Sequence, residues 1–135
     1  MLLNEELLVS GYGDGTKEVV DAGKRILVRK GREYVVIRFE DVAYFYIENG
    51  ISYLIEAKTR YKYIMARPLR NIELAVSPKD FFRVTKKYLV NINAVVKFRS
   101  AKKGKLEVQL DPDPKETIVI SQLKAGAFKR WLMEN

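Results

Sequence analysis

The sequence predicts a mainly β fold of antiparallel β-sheets joined by hairpins, with one short internal helix and a C-terminal helix. Short runs rich in Val, Ile, Tyr and Phe recur from residue 25 to residue 120, and such residues favour strands. Gly, Asn and Pro separate the runs, as is typical of turns. Only the stretches around 69–76 and after 121 space their apolar residues at the helical period.

The first strand runs are predicted to form hairpins. Lys30-Gly31 separates the first two runs, and Asn49-Gly50 lies between the third and fourth. Asn-Gly between two β runs is the strongest short hairpin signal, because both residues tolerate positive φ. The turn at 58–60 predicts a second hairpin that includes the fifth run. The five runs span 25–30, 33–40, 41–48, 51–57 and 61–65.

A short helix is predicted after Pro68, because the missing N–H of proline costs nothing in the first helical turn. Leu69, Ile72 and Val76 fall at i, i+3 and i+7, which indicates one buried stripe. Ser77-Pro78 ends the helix, since a residue before proline avoids the α region. Strand runs then resume at 81–84, 88–91, 94–100, 105–110 and 116–120.

The last helix is predicted to begin at about Ser121, whose hydroxyl can cap its N-terminus. Leu123, Ala127 and Trp131 recur every four residues and would lie on one apolar face. We expect this face to include core residues, Trp131 above all.

Residues 1–23 differ from the remainder in charge and composition. They hold five acidic residues and one lysine, a net charge of −4, whereas residues 24–135 hold 24 basic and 12 acidic residues, a net charge of +12. The segment GYGDG lacks the spacing of a dinucleotide fingerprint or a Walker motif. We therefore expect residues 1–23 to be a linker or lead-in from an upstream domain, and residues 24–135 to be the domain proper.

The composition excludes several kinds of chemistry. The chain has no Cys and no His, which removes disulfides, thiolate nucleophiles, the usual metal ligands and any Ser-His-Asp triad. No pair of carboxylates stands out, because Asp111 and Asp113 flank prolines in a predicted turn. We expect a binding module rather than an enzyme, with no metal and no cofactor. No apolar run approaches the roughly 18–20 residues of a membrane span.

The charge distribution favours a polyanionic partner. Residues 81–106 contain eight basic residues and no acidic one. Such a block concentrates nucleic acid, because each neutralised phosphate releases counterions. Lysines also keep β-rich surfaces soluble and protect sheet edges, so charge alone leaves the partner open. A membrane partner is not expected, since the sequence shows neither a basic amphipathic helix nor a lipidation signal.

Three ordered segments carry a family resemblance. Residues 77–91, SPKDFFRVTKKYLVN, resemble the signature Phe-x-Arg-x-His-Arg-Ser-Tyr-Ile-Val-Asn of LytTR DNA-binding domains. Residues 41–45, DVAYF, are similar to the Asp-Ile-x-Tyr-Ile/Phe segment of that family, and residues 118–122, IVISQ, to its Val-Ser-Arg segment. The resemblance covers about 24–133.

The resemblance implies a role as well as a fold. Members are cytoplasmic bacterial transcription regulators, often attached to the phosphorylatable receiver domain of a two-component response regulator. Their elongated antiparallel fold places loops in successive major grooves of double-stranded DNA, commonly at tandem repeat sites. The implied partners are therefore duplex DNA, an N-terminal receiver domain and a second copy of the chain on DNA.

The resemblance also implies three DNA-facing loops. The first is the turn at 49–53, with Ser52 at a base-reading position and Tyr53 beside it. The signature His is Thr85 here and the signature Arg is Gln122. Because Arg reads guanine whereas Gln prefers adenine, the target sequence should differ from that of Arg-bearing relatives. The other implied or candidate contacts are Thr85, Lys86 and Lys87 in the second loop, Gln122 in the third, and Lys102, Lys103 and Lys115 in hairpin turns.

Other interpretations stay open from the residues alone. Arg83 could contact DNA or support the Thr85–Lys87 loop, and Gln122 could be an ordinary first-turn residue. The aromatic runs at 44–46 and 61–63 could stack bases of RNA or single-stranded DNA. Tyrosines that alternate along strands are more often packing residues. A protein-interaction module without nucleic-acid binding is the alternative from another class.

Overall fold

The computed structural model describes residues 7–11, 17–21 and 25–135, and its elements are mostly strands. The strands are β1 (Leu7–Gly11), β2 (Lys17–Asp21), β3 (Arg25–Lys30), β4 (Glu33–Arg38), β5 (Val42–Glu48), β6 (Ile51–Glu56), β7 (Lys62–Met65), β8 (Phe81–Thr85), β9 (Tyr88–Asn91), β10 (Val95–Ser100), β11 (Leu106–Leu110) and β12 (Ile118–Ile120). The helices are α1 (Leu69–Ala75) and α2 (Gln122–Glu134). The mainly β fold class with two helices is confirmed. Neither helix is long and apolar enough to cross a membrane.

The described strands form three antiparallel sheets. One has the order β1-β2-β3-β4, the central one β7-β6-β5-β9-β8, and the third β10-β11-β12. The predicted Asn49-Gly50 turn joins β5 to β6, with φ values of 52° and 78° that suit Asn and Gly. Helix α1 carries the chain from β7, at one edge of the central sheet, to β8 at the other edge. Strand β9 then pairs with both β8 and β5.

The central sheet separates two hydrophobic cores, because successive side chains along a strand point to opposite faces. Phe45 packs in one core with the inner face of β3 and β4 and with Leu69 and Ile72 of α1. Its neighbour Tyr44 packs in the other core with the third sheet and with Phe128 of α2. The two faces of β5 therefore contribute to both cores.

Asn91, the last residue of the signature, has a structural role. Its side chain is buried, and its Nδ2 donates to the Val42 carbonyl at 2.9 Å and to the Phe39 carbonyl at 3.4 Å. Its Oδ1 accepts a hydrogen bond from the backbone N–H of Asn93 at 2.9 Å. The amide thus ties the end of β9 to the chain entering β5, where an apolar residue would lose the hydrogen bond to the Val42 carbonyl.

Helix α2 departs from the prediction at its start. Leu123, expected on the apolar face, is 95% exposed, and the buried residues are Ala125, Phe128 and Trp131. At about 100° per residue, Leu123 points roughly 140–160° away from Ala125 and Phe128, so it lies on the outer side of the helix. The predicted capping bond is also wrong, because the side chain of Ser121 makes no cap hydrogen bond.

Two strands lie within the segment predicted to be a lead-in. Strand β2 pairs with β3, and β1 pairs with β2, so both extend the sheet that β3 and β4 begin. A purely flexible linker does not describe these two stretches. The domain boundary at residue 24 stays a prediction. A further difference is a 3-10 turn at Phe39–Asp41, which separates two runs that are contiguous in sequence.

Candidate nucleic-acid interface

Helix α2 runs antiparallel to β8. Near its start, Nζ of Lys124 donates to the carbonyl of Arg83 at 3.0 Å. Near its end, Nε1 of Trp131 donates to the carbonyl of Lys79 at 3.0 Å. Because β8 runs from Phe81 towards the Thr85–Lys87 turn, the N-terminus of α2 lies at the same end as that turn.

The Lys102–Gly104 turn lies against the first residue of α2. Leu106 pairs with Ile120, which brings the start of β11 beside the end of β12. Gly104 has φ of +76°, and a Cβ built on it would lie 2.9 Å from Cγ of Gln122. Glycine therefore allows this close approach as well as the left-handed backbone. The sequence indicates a turn at Lys103-Gly104, but nothing in it names Gln122 as the neighbour.

The β5–β6 turn projects from the same end of the central sheet. Tyr46 pairs with Tyr88, and the backbone N–H of Ile47 donates to the carbonyl of Lys87 at 3.0 Å. The chain then continues past the Thr85–Lys87 turn to Asn49–Gly50. We name the following set the loop end: the turns Asn49–Gly50, Thr85–Lys87 and Lys102–Gly104, with Ser121 and Gln122 at the start of α2.

Arg83 holds the Thr85–Lys87 turn in shape. Its Nη2 donates to the carbonyl of Lys86 at 2.7 Å, and its Nε donates to the carbonyl of Thr85 at 3.2 Å. Nη1 of Arg83 forms an ion pair with Glu73 at 2.9 Å. Oγ1 of Thr85 accepts a hydrogen bond from the backbone N–H of Lys87 at 3.1 Å. Of the two roles open for Arg83, the contacts therefore favour support of the turn.

The lysines of the loop end differ in their electrostatic partners. Lys86, Lys102 and Lys103 are exposed, and among residues 25–135 no carboxylate lies within 4.0 Å of their ammonium groups. Lys87 instead forms an ion pair with Glu116 at 3.4 Å. The three unpaired lysines thus supply a local excess of positive charge.

Lys115 lies away from the Lys102–Gly104 turn but close to Lys87 and Glu48. It lies in the connection between β11 and β12, which leaves β11 at the opposite end from the Lys102–Gly104 turn. Lys115 lines a groove of about 710 Å³ with Tyr46, Lys87 and Glu116. Its charge helps to lower the pKa of Glu48, after the larger effect of the hydrogen bond and charge of Lys62.

The positions of Ser52 and Tyr53 contradict an exposed reading loop. The turn comprises only Asn49 and Gly50, so Ser52 already lies in β6, paired with Ile47 and Met65 on either side. Its side chain is buried, with 6% exposure. Tyr53 is half-buried, and the ammonium of Lys62 lies 4.1 Å from its ring centroid. The family resemblance placed Ser52 and Tyr53 in the exposed turn, whereas both lie in strand β6.

The tyrosines of the central sheet are packed or hydrogen-bonded. Tyr46 stacks on Tyr88 with ring centroids 5.5 Å apart. The hydroxyl of Tyr88 donates to Glu116 at 2.9 Å, and that of Tyr44 donates to the Pro112 carbonyl at 3.1 Å. Burial, as the largest cause, raises the pKa of Tyr44 to about 12 and also raises the pKa of Tyr88. These rings serve the core, which does not favour base stacking on the run 44–46.

Within the described residues, no group of three or more Asp or Glu side chains could hold a metal ion. Among the described residues, the loop end brings turns from two sheets together with the start of a helix and carries three exposed lysines without an acidic partner. Fold and site together define a mainly β domain with a basic, exposed end, a class to which nucleic-acid-binding modules belong.

Comparison with known proteins identifies the family. The model of the LytTr DNA-binding domain family matches residues 32–133, and the chain belongs to that family. A solved structure of a LytTr DNA-binding domain from Bacillus cereus superposes with a TM-score of 0.67 and 16% sequence identity. The match covers 81% of this chain and 96% of that one, and at this identity it shows the shared fold. A comparison with curated protein sequences gave no significant match.

Proposed function

We propose that this domain binds double-stranded DNA sequence-specifically and is the DNA-binding part of a bacterial transcriptional regulator, with the loop end in the major groove. The observation that carries this proposal is the meeting of three unpaired lysines with Gln122 at one end of the fold. Membership of a family of DNA-binding domains supports the same class of ligand. The family is not one of enzymes, and we propose no catalytic role.

The side chains of the loop end would divide the work of recognition. Lys86, Lys102 and Lys103 would contact phosphates, which supplies affinity without sequence information. Gln122 has the donor and acceptor needed for the N6 and N7 atoms of adenine. Thr85 offers one hydroxyl to DNA in place of the titratable imidazole of the signature His. Lys87, already paired with Glu116, would contribute less.

The loop end is held in shape by contacts within the domain, which supports these proposed roles. Arg83 fixes the turn that carries Lys86, and Lys124 attaches α2 to β8 two residues after Gln122. Less ordering is then needed on binding, so a larger share of the contact energy appears as affinity. The remaining family features belong to the proposal too: tandem repeat sites, a homodimer on DNA, an attached receiver domain, and work in the cytoplasm.

Selection from a random duplex pool tests the proposal and identifies the site. Lys86→Glu should weaken binding to every sequence and lower the slope of log K against log salt by about one unit. Lys58→Glu is the matched control, because Lys58 is exposed in the β6–β7 turn at the other end of the central sheet. Gln122→Ala should relax the base preference at one position. Equal losses from both charge reversals would refute the location of the interface.

The single-strand alternative has a direct test of its own. Competition between a selected duplex and its separate strands at fixed salt should favour the duplex. Tyr46→Ala should not selectively weaken binding to single strands, because that ring already stacks on Tyr88. Stronger binding to single strands would contradict the duplex assignment.

A further inference from the structure

Leu123 is an apolar side chain in the middle of a basic surface. It is 95% exposed, more than any other large hydrophobic residue in 25–135. Single exposed leucines are common on protein surfaces, so exposure alone carries little information. The position is informative: Leu123 lies in the first turn of α2 and follows Gln122, the residue that packs against Gly104.

The helical geometry directs this side chain outwards from the loop end. In an α-helix the Cα–Cβ bonds tilt towards the N-terminus, so a first-turn side chain projects in front of the helix. The buried side of α2 begins at Ala125. Leu123 lies about 100° around the helix axis from Gln122 and therefore points to solvent beside it, away from the buried side of α2.

The chemistry of the major groove indicates which group of DNA Leu123 would contact. A leucine cannot bind phosphate, and the major groove presents one apolar group, the C5-methyl of thymine. We infer that Leu123 is a specificity-determining residue that packs on a thymine methyl next to the base contacted by Gln122. This inference rests on the proposed function of duplex binding in the major groove.

Deoxyuridine supplies a test, since it differs from thymidine only by this methyl group. Each thymine of a duplex selected by the wild-type domain is replaced in turn by deoxyuridine, and the dissociation constant is measured. Loss of one buried methyl-sized group should weaken wild-type binding about fourfold at one thymine. Leu123→Ala should bind the two duplexes equally. It should also stay folded, because the side chain packs on little.

Met133→Ala is the matched control. Met133 is 85% exposed near the far end of the same helix, and its loss should leave the fourfold discrimination intact. Wild-type binding that is indifferent to every thymine methyl, a selected site without thymine, or discrimination retained by Leu123→Ala would each overturn the role of Leu123 while leaving duplex binding in place. Failure to select any duplex would overturn the proposed function and this inference together.

Discussion

Replacement of Arg83 by alanine should destabilise the domain through the turn that carries Lys86. The side chain of Arg83 is only 20% exposed, and its guanidinium donates to the carbonyls of Thr85 and Lys86, with the shortest bond at 2.7 Å. Hydrogen bonds to charged groups contribute about 1.5–3 kcal/mol. The ion pair with Glu73, whose side chain is 43% exposed, should add less than about 1 kcal/mol.

We therefore expect Arg83→Ala to lower the free energy of unfolding by about 2–3 kcal/mol. Glu73→Gln should lower it by no more than about 0.5 kcal/mol, because the bonds to the turn remain. Arg83→Lys keeps the charge but loses the fork of donors, so it should resemble the alanine variant more than the wild type.

Urea unfolding followed by the fluorescence of Trp131, the single tryptophan, measures all three variants. Arg130→Ala is a suitable control, since Arg130 is exposed on α2 beyond the loop end. An Arg83→Ala variant within about 0.5 kcal/mol of the wild type would refute the idea that this side chain holds the turn.

Three more variants test other parts of the fold. Asn91→Ala should lower the free energy of unfolding by about 2–3 kcal/mol in the same assay, because the buried carbonyl of Val42 loses its hydrogen bond. A loss below about 1 kcal/mol would contradict that account. The pKa of Tyr44 is raised from 10.0 to about 12, so the unfolded chain loses this proton first and stability falls as pH rises above 10. Tyr44→Phe should therefore show a shallower loss of unfolding free energy between about pH 9 and pH 11, and an unchanged slope would count against the assignment. Gly104→Ala should cost about 1 kcal/mol for its positive φ and should displace Gln122, so repeated duplex selection is expected to show an altered preference at one base.

The hairpins were predictable because their signals are local. Asn49-Gly50 marks its turn in two residues, and the structure places the turn there. The order of the sheets was not predictable, because every run is similarly apolar. Nothing local distinguishes β5 from the other strands as the neighbour of β9.

The sequence indicated the residue types of the loop end better than the arrangement of its turns, and its role in DNA binding stays a prediction. Lys86 and Gln122 occupy signature positions, and the structure brings their segments together through Arg83 and Lys124. The errors at Ser52 and Leu123 are both errors of phase. At about 100° per residue, Leu123 points roughly 140–160° away from Ala125 and Phe128, the buried side of α2. Ser52 alternates with Ile51 and Tyr53 along β6 and shares the buried face of Leu54.

Because α2 packs antiparallel on β8, a change near the C-terminal end of the helix can move its N-terminus. Trp131 lies nine residues after Gln122, about 13 Å along a stiff helix axis. A substitution that changes how the Trp131 indole packs against the Lys79 carbonyl would shift or tilt α2. Gln122, at the N-terminus of the helix, would move with it. Under the proposed function, substitutions around Trp131 could therefore change the preferred DNA sequence without altering any residue of the loop end.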